Sequence, residues 1–511
     1  MNNELKLTGS DLNLEDLKAV YLNQELVVSI DPQSKIKMTE ANEYVLKIVK
    51  NGNPVYGINT GFGALADKKI NSEDLSQLQY NLIRSHCTGV GEYFSREITR
   101  AIMVIRANCL CSGFSGINPI LVERLVEMIN KDITPLVPQK GSVGASGDLA
   151  PLSHIALTLI GEGKVLYQGK EVSTLEALQA ENLNPLTLGP KDGLSLINGT
   201  AVMAALQARA VILSKTILST ADVISALTLE SVQGSKKAYD PLITRLKPHP
   251  GQVECVENLN TLLEDSEITK SHADCSKVQD PYSLRCVPQV HGAIRQTYQH
   301  AKDVILTELN SVTDNPLVFV EEEKVVSGGN FHGEALALSM DYLAMGVSEV
   351  ANISERRIEK MMNPSFSELP AFLIDSSGLN SGLMIAHVTA AALASENKYL
   401  CHPASVDSIP TSTDKEDHVS MGVTSGLKLQ TVLENSMNVL AIELLCSCQA
   451  MEFQRPLKGS KAIESVYEFI RQHVEPLKED RFLADDMRVI KNLIISGEVL
   501  ASAQKIVGEL K

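Results

Sequence analysis

Tryptophan is absent from this chain, aromatic residues are few, and there is no excess of positive charge: over 511 residues the formal net charge is −16. An acidic balance of that size argues against a nucleic-acid or anionic-membrane partner, since both require a positive field. The one local basic stretch, residues 235–247, is short and interrupted by Asp240, and it reads as a solvated surface segment. A membrane span is lacking too. The longest apolar run, residues 383–394, is broken by His387 and Thr389 and is too short for a bilayer. The opening MNNELKLTGSDLNLED has none of the basic-then-apolar pattern of an export signal. The expected location is therefore the cytoplasm. Zinc-knuckle spacing is likewise missing: the nine cysteines are scattered, and Cys109-Leu110-Cys111 and Cys446-Ser447-Cys448 have one-residue spacers. They read as reduced, mostly buried thiols, and no metal site stands out.

What is present is ordinary soluble composition, 44% hydrophobic and 21% charged, on a chain long enough for a large core. The start is mixed: Glu25-Leu26-Val27-Val28-Ser29-Ile30 reads as a short strand, residues 39–50 as a helix, and Asn51-Gly52-Asn53-Pro54 as a turn. Beyond it helical periodicity dominates. Leu336, Met340, Leu343, Val347 and Val350 place one apolar stripe on one helix face, the seam of a long packed helix. Similar patterns cover residues 200–233, 289–310, 382–399 and 426–453. The expected class is mainly α, with a core of long antiparallel helices and a small mixed N-terminal region. The expected division is an N-terminal domain at 1–198, a central long-helix bundle with substrate-binding loops at 199–430, and C-terminal helices at 431–511.

The loops are rich in glycine, as in Tyr56-Gly57-Ile58-Asn59-Thr60-Gly61-Phe62-Gly63, Ser327-Gly328-Gly329-Asn330-Phe331-His332-Gly333 and Ser376-Ser377-Gly378-Leu379-Asn380-Ser381-Gly382. Helix connections do not need so many close-approach glycines, whereas sites are often built on loops held by a rigid scaffold. The decisive stretch is Gly141-Ser142-Val143-Gly144-Ala145-Ser146-Gly147-Asp148-Leu149-Ala150-Pro151-Leu152-Ser153-His154. In a strained loop the Gly147 amide nitrogen is able to attack the Ala145 carbonyl carbon, because glycine has no side chain in the way and tolerates unusual angles. Loss of one water closes an imidazolone ring. Loss of the Ser146 hydroxyl as a second water leaves an exocyclic methylidene, an electrophile no ordinary side chain supplies. A helix beginning just after the loop would aim amide donors at the ring oxygen. Taken alone, Ala-Ser-Gly is equally a glycine turn with Ser146 or Asp148 capping a helix. A phosphate loop is excluded, since no strand precedes the stretch and no lysine follows its last glycine.

With this context the chain resembles the aromatic amino-acid ammonia-lyases that use a methylidene-imidazolone group, and most closely their histidine-acting branch. The resemblance runs from about Val55 to Phe482, with specific blocks at 56–63, 81–91, 141–154, 194–200, 278–290, 327–334, 378–400 and 402–421. It implies a mainly helical homotetramer whose active sites are shared between subunits. It also implies a 4-methylidene-imidazol-5-one formed autocatalytically from Ala145, Ser146 and Gly147, with no external organic cofactor. The implied substrate is L-histidine, and the products are trans-urocanate and ammonia.

By resemblance, Tyr56 is the base for the β-hydrogen, a role that calls for a nearby cation or amide donors. Arg285 binds the substrate carboxylate, as a guanidinium fork suits. Tyr282 and Gln279 are further site positions on the same loop, Tyr282 reaching a neighbouring subunit's site. Asn198 hydrogen-bonds near the ring or the substrate, and Phe331 packs beside the ring. Ser85-His86 and Glu416 set specificity, because an imidazole substrate needs polar partners for its two nitrogens. Lys415 and His387 stand where the branch usually has glutamine. Some tyrosine-acting relatives also carry a Ser-His pair at 85–86, which keeps a tyrosine lyase or aminomutase as the rival reading. A helical scaffold that had lost the chemistry would have lost Ser146, Tyr56 or Arg285, and all three are present.

Overall fold

The stripe at Leu336, Met340, Leu343, Val347 and Val350 is buried along its whole length, and it lies on a single helix, Glu334–Met362. Two further helices match it in length, Ala201–Ser231 and Gly422–Glu452, and Val287–Glu308 and Met384–Leu400 follow the remaining periodic stretches. The structure, a computed structural model, describes residues 3–52, 54–61, 63, 68–273 and 278–511. Asn53 of the expected turn, Phe62 of the Tyr56 loop and Cys275 lie outside the described residues.

The N-terminal mixture is as expected. Glu4–Leu7 pairs in parallel with Val27–Ile30, and Pro32–Asn51 follows as a helix capped at its start by Asp31 and ended by left-handed Gly52. The other described strands are short pairs and one three-stranded sheet. The chain is mainly α.

Two compact units are present, and they do not follow chain order: one comprises Met1–Arg209, Lys302–Met340 and Pro403–Leu427, the other Ala210–Ala301, Asp341–His402 and Lys428–Lys511. Four of the boundaries fall inside the long helices Ala201–Ser231, Val287–Glu308, Glu334–Met362 and Gly422–Glu452. The stretch Asp192–Ser231 contains a window apolar enough to cross a membrane, but 78% of that window is buried in protein, which marks a core helix.

In the first unit Gly426 lets its helix approach Leu206 and Met340, since a Cβ there would stand 2.7 Å from Leu206. In the second, Glu334–Met362 and Gly422–Glu452 run in the same direction, meeting at Ser436 and Val347, at Arg357 and Glu443, and at Met361 and Ser447. Met384–Leu400 runs opposite to Glu334–Met362, with His387 on Glu355 and Cys401 on the Ala344 carbonyl. It is the return helix that allows two long neighbours to be parallel. Arg357 and Glu443 form a fully buried ion pair, and Glu443 also accepts from Thr228 at 2.7 Å. Removing either charge would strand the other in an apolar interior.

Candidate active site

Ala145 and Gly147 are buried and Ser146 half-buried on a loop gripped from several directions. Gly141, Gly144 and Gly147 all have positive φ, 140°, 67° and 74°. Gly147 lies against Gly199 so closely that a Cβ would stand 2.4 Å from the Gly199 carbonyl oxygen. Only glycine meets both demands, the left-handed angle and the missing Cβ. On this side the Asp148 amide donates to the Gly199 carbonyl at 2.7 Å and the Asn198 side-chain amide donates to the Ser146 carbonyl at 2.8 Å. On another side the Gly333 amide and the Ser420 hydroxyl both donate to the Gly144 carbonyl, at 3.2 and 2.9 Å. The Met421 amide donates to the Val143 carbonyl at 2.8 Å. The loop that carries Phe331 and the segment that follows Glu416 are thus docked directly on the Ala-Ser-Gly loop.

The helix expected after the loop begins at Leu149. Asp148 stands at its start but makes no side-chain cap to it. Its fully buried carboxylate accepts instead from the Val202 and Met203 amides, at 2.9 and 3.1 Å, and from the Ser142 hydroxyl at 3.0 Å. Asp148 therefore caps the Ala201–Ser231 helix from outside. Burial pushes its pKa up to about 7, against the pull of those donors. Asn198 ends the preceding helix Asp192–Ile197 and turns its side chain to Ser146. Its Oδ1 is buried and has no hydrogen-bond partner among the described residues.

The Ser146 hydroxyl donates to Glu416 Oε1 at 2.5 Å. The other Glu416 oxygen accepts from Thr411 and Ser412 at 2.6 and 2.8 Å. Ser412, Thr413 and Asp414 all hold positive φ, 51°, 52° and 64°. A β-branched residue such as Thr413 adopts that angle only when its surroundings impose it. Burial works against ionisation of Glu416, but the Ser146, Thr411 and Ser412 hydroxyls and the nearby His86 outweigh it and hold the carboxyl below its usual range.

His86 is half-buried at the end of the helix Leu75–His86. Burial lowers its pKa, while the Leu82 carbonyl and the charge of Glu416 work in the opposite direction. Its Nδ1 lies 2.8 Å from the Leu82 carbonyl oxygen. A carbonyl only accepts, so Nδ1 carries the proton and Nε2 of the neutral ring is an acceptor. The following segment is tied to the helix after the Ala-Ser-Gly loop, because the Gly89 amide donates to His154 Nε2 at 3.3 Å. Tyr56, half-buried, sits on a loop closed by the bond from the Val55 amide to the Asn59 side chain at 2.7 Å. At Gly57 that loop packs on Leu194 and Pro316 with no room for a side chain, which joins it to the segment leading to Asn198.

The structure thus brings Tyr56, His86, Ala145, Ser146, Gly147, Asn198, Phe331 and Glu416 into one unit. Gln279, Tyr282 and Arg285 belong to the other. There the Arg285 guanidinium lies 4.5 Å over the Tyr282 ring. Its Nε is buried and has no hydrogen-bond partner among the described residues. Among the described residues no carboxylate pairs with it, in contrast to the surface salt bridge that is the commoner fate of an arginine. The basic stretch at 235–247 supports this loop: the buried Tyr239 hydroxyl donates to the Leu284 carbonyl at 2.7 Å, and the Ser235 amide to Asp280 at 2.7 Å. Tyr282 and Val278 are exposed, at 71% and 94%. Sequence reasoning passed over Asp148, Thr411 and Ser412 as site residues. Asp148 lay inside the decisive stretch, but nothing in the sequence announced that its partners would be the amides of residues 202 and 203.

The aromatic amino acid lyase family profile matches residues 12–472. The chain is 47% identical over 513 aligned positions to the histidine ammonia-lyase of Koribacter versatilis (strain Ellin345), covering 98% of this chain and 99% of that protein. The crystal structure of histidine ammonia-lyase from Trypanosoma cruzi superposes with a TM-score of 0.92 at 42% identity, covering 99% of this chain and 96% of that one. Tyrosine aminomutase from Streptomyces globisporus superposes with a TM-score of 0.93 at 35% identity, covering 99% and 100%. With its glycine-locked Ala-Ser-Gly loop and near full-length relatives, the chain belongs to the aromatic amino acid lyase family.

Proposed function

We propose that the protein eliminates ammonia from L-histidine to give trans-urocanate, a step that opens histidine degradation, using an electrophile made from its own Ala145, Ser146 and Gly147. The observation that carries the reading is the glycine-held loop itself. Positive φ and the contact with Gly199 present Gly147 as a residue without a side chain beside Ala145. Asn198 is already on the Ser146 carbonyl, the oxygen that becomes the ring oxygen. These features fit a methylidene-imidazolone, which supplies an electron-poor carbon that takes up the substrate and makes its amine a leaving group.

The remaining roles belong to ordinary side chains. Asn198 holds the ring oxygen, and its Oδ1, without a partner among the described residues, accepts from the substrate's ammonium group. His86 Nε2 accepts from the substrate imidazole N–H, and the ionised Glu416 draws on the other side of that ring. Tyr56 takes the β-hydrogen. Arg285, without a carboxylate partner among the described residues, takes the substrate carboxylate, and a guanidinium fork suits that geometry. Phe331 walls the ring, while Gln279 and Tyr282 complete the site, Tyr282 from a neighbouring chain of a homotetramer. The exposed Val278 and Tyr282 on that loop, and Ile385, Val388 and Tyr399 exposed along one helix, support association between copies. Free thiols throughout the described cysteines suit the cytoplasm.

The test follows ultraviolet absorbance with L-histidine, L-tyrosine or L-phenylalanine supplied separately, and with a Ser146→Ala variant. A urocanate band with histidine alone, abolished in the variant, is the expected result. A coumarate band with tyrosine would overturn the substrate assignment while keeping the chemistry.

A further inference from the structure

Beside the Ala-Ser-Gly loop, but outside the residues given roles above, His332, Glu334 and His418 come together, with one ligand-capable atom of each lying within 4.8 Å of the others. The two imidazole rings are parallel to within 5°, with centroids 5.7 Å apart. His332 Nε2 lies 3.2 Å from the His418 carbonyl oxygen, which orients its ring. His418 Nε2 lies 3.9 Å from Glu334 Oε2. That Glu334 oxygen is buried and has no hydrogen-bond partner among the described residues, an arrangement that costs free energy unless something occupies the lone pairs.

We propose that His332, Glu334 and His418 form a site for a first-row divalent ion, of which zinc is the type. The chemistry of the donor set selects this class: two imidazoles and one carboxylate suit zinc and its neighbours, whereas calcium and magnesium prefer oxygen alone. A tetrahedral centre with metal–ligand distances of about 2.0–2.2 Å draws the three atoms closer than they stand. His418, 69% exposed at its side chain, is free to turn inward. Three protein ligands leave a fourth position for water.

The place of the site gives it a consequence. His332 follows Phe331 and precedes Gly333, whose amide bonds the Gly144 carbonyl. His418 stands two residues after Glu416. A bound ion would staple together the two loops that present Phe331 and Glu416 to the Ala-Ser-Gly loop. Sequence spacing did not point to such a site, because its ligands come from two segments distant in the chain.

The test uses the full-length protein, stripped with a chelator and titrated with zinc chloride by calorimetry. The expected result is one tightly held zinc per chain and a rise in the unfolding temperature with zinc, as mass action requires of a ligand that binds only the folded state. In His418→Ala, an exposed position, and in the isosteric Glu334→Gln, affinity should fall by at least the roughly 10–100-fold that loss of even an outer-shell partner costs. Cobalt in place of zinc should give a spectrum without a thiolate charge-transfer band. No binding to the wild type, equal affinity in the wild type and both variants, or a thiolate band pointing to the cysteines would each overturn the proposal.

Discussion

Glu416 is held in a half-buried place by three hydroxyls, those of Ser146, Thr411 and Ser412; the Ser146 hydroxyl leaves when the electrophile forms, and Thr411 and Ser412 go on donating to the carboxylate. These two come from a turn whose backbone is held in left-handed angles, so the carboxylate is aimed by strain that the surrounding structure sustains. His86 is its counterpart. The Leu82 carbonyl fixes the tautomer, and burial favours the neutral ring. An acceptor nitrogen and an anion are therefore set in place before any substrate arrives, as a polar aromatic substrate requires. Replacing Glu416 with glutamine keeps the shape and removes the charge. A hydrogen bond to a charged group contributes about 1.5–3 kcal/mol, so kcat/KM for histidine should fall by roughly 10–100-fold in steady-state assays of the Glu416→Gln variant. An unchanged kcat/KM would remove Glu416 from substrate recognition.

At the scale of elements, the coupling of a loop to a helix rests on Asp148. Its carboxylate satisfies the first amides of the Ala201–Ser231 helix, which otherwise lack partners, while its own amide holds Gly199. The folded chain keeps the Asp148 proton up to about pH 7, whereas an ordinary aspartate gives it up near pH 4. The stability contributed by that proton is therefore full below the ordinary value and is lost as pH rises through this window, by on the order of 4 kcal/mol. In thermal unfolding at pH 5 and pH 8, the wild type should lose stability relative to Asp148→Asn as the pH rises. Parallel behaviour of the two proteins would show that Asp148 is not the buried acid described here. The helices themselves were legible in the sequence, because the stripe from Leu336 to Val350 has one period and one buried face. Asp148 was not, since a cap supplied from fifty residues away leaves no local pattern.

Over the whole molecule, the division into two compact units cuts through four long helices, whereas an expectation of consecutive domains at 1–198, 199–430 and 431–511 follows chain order. Periodicity reports which face of a helix is buried and is silent about which distant helix covers each half of it, so the grouping was hidden. The parallel run of Glu334–Met362 and Gly422–Glu452 was hidden for the same reason, since only the contacts of Met384–Leu400 reveal it as a return. The chemistry was more legible than the packing. The glycines of 141–154 are dictated by local angles and close approaches that any reader of the chain meets in order, and the resemblance joined them to Tyr56, His86, Arg285 and Glu416. Everything proposed for function depends on Ala145, Ser146 and Gly147 having become an electrophile, and mass tests that directly. Intact mass spectrometry of the purified wild type, with peptide mapping of residues 141–154, should find the chain lighter than its sequence by two waters, both missing from that peptide, and Ser146→Ala should be unable to lose the second. A wild-type chain carrying its full sequence mass would contradict the account.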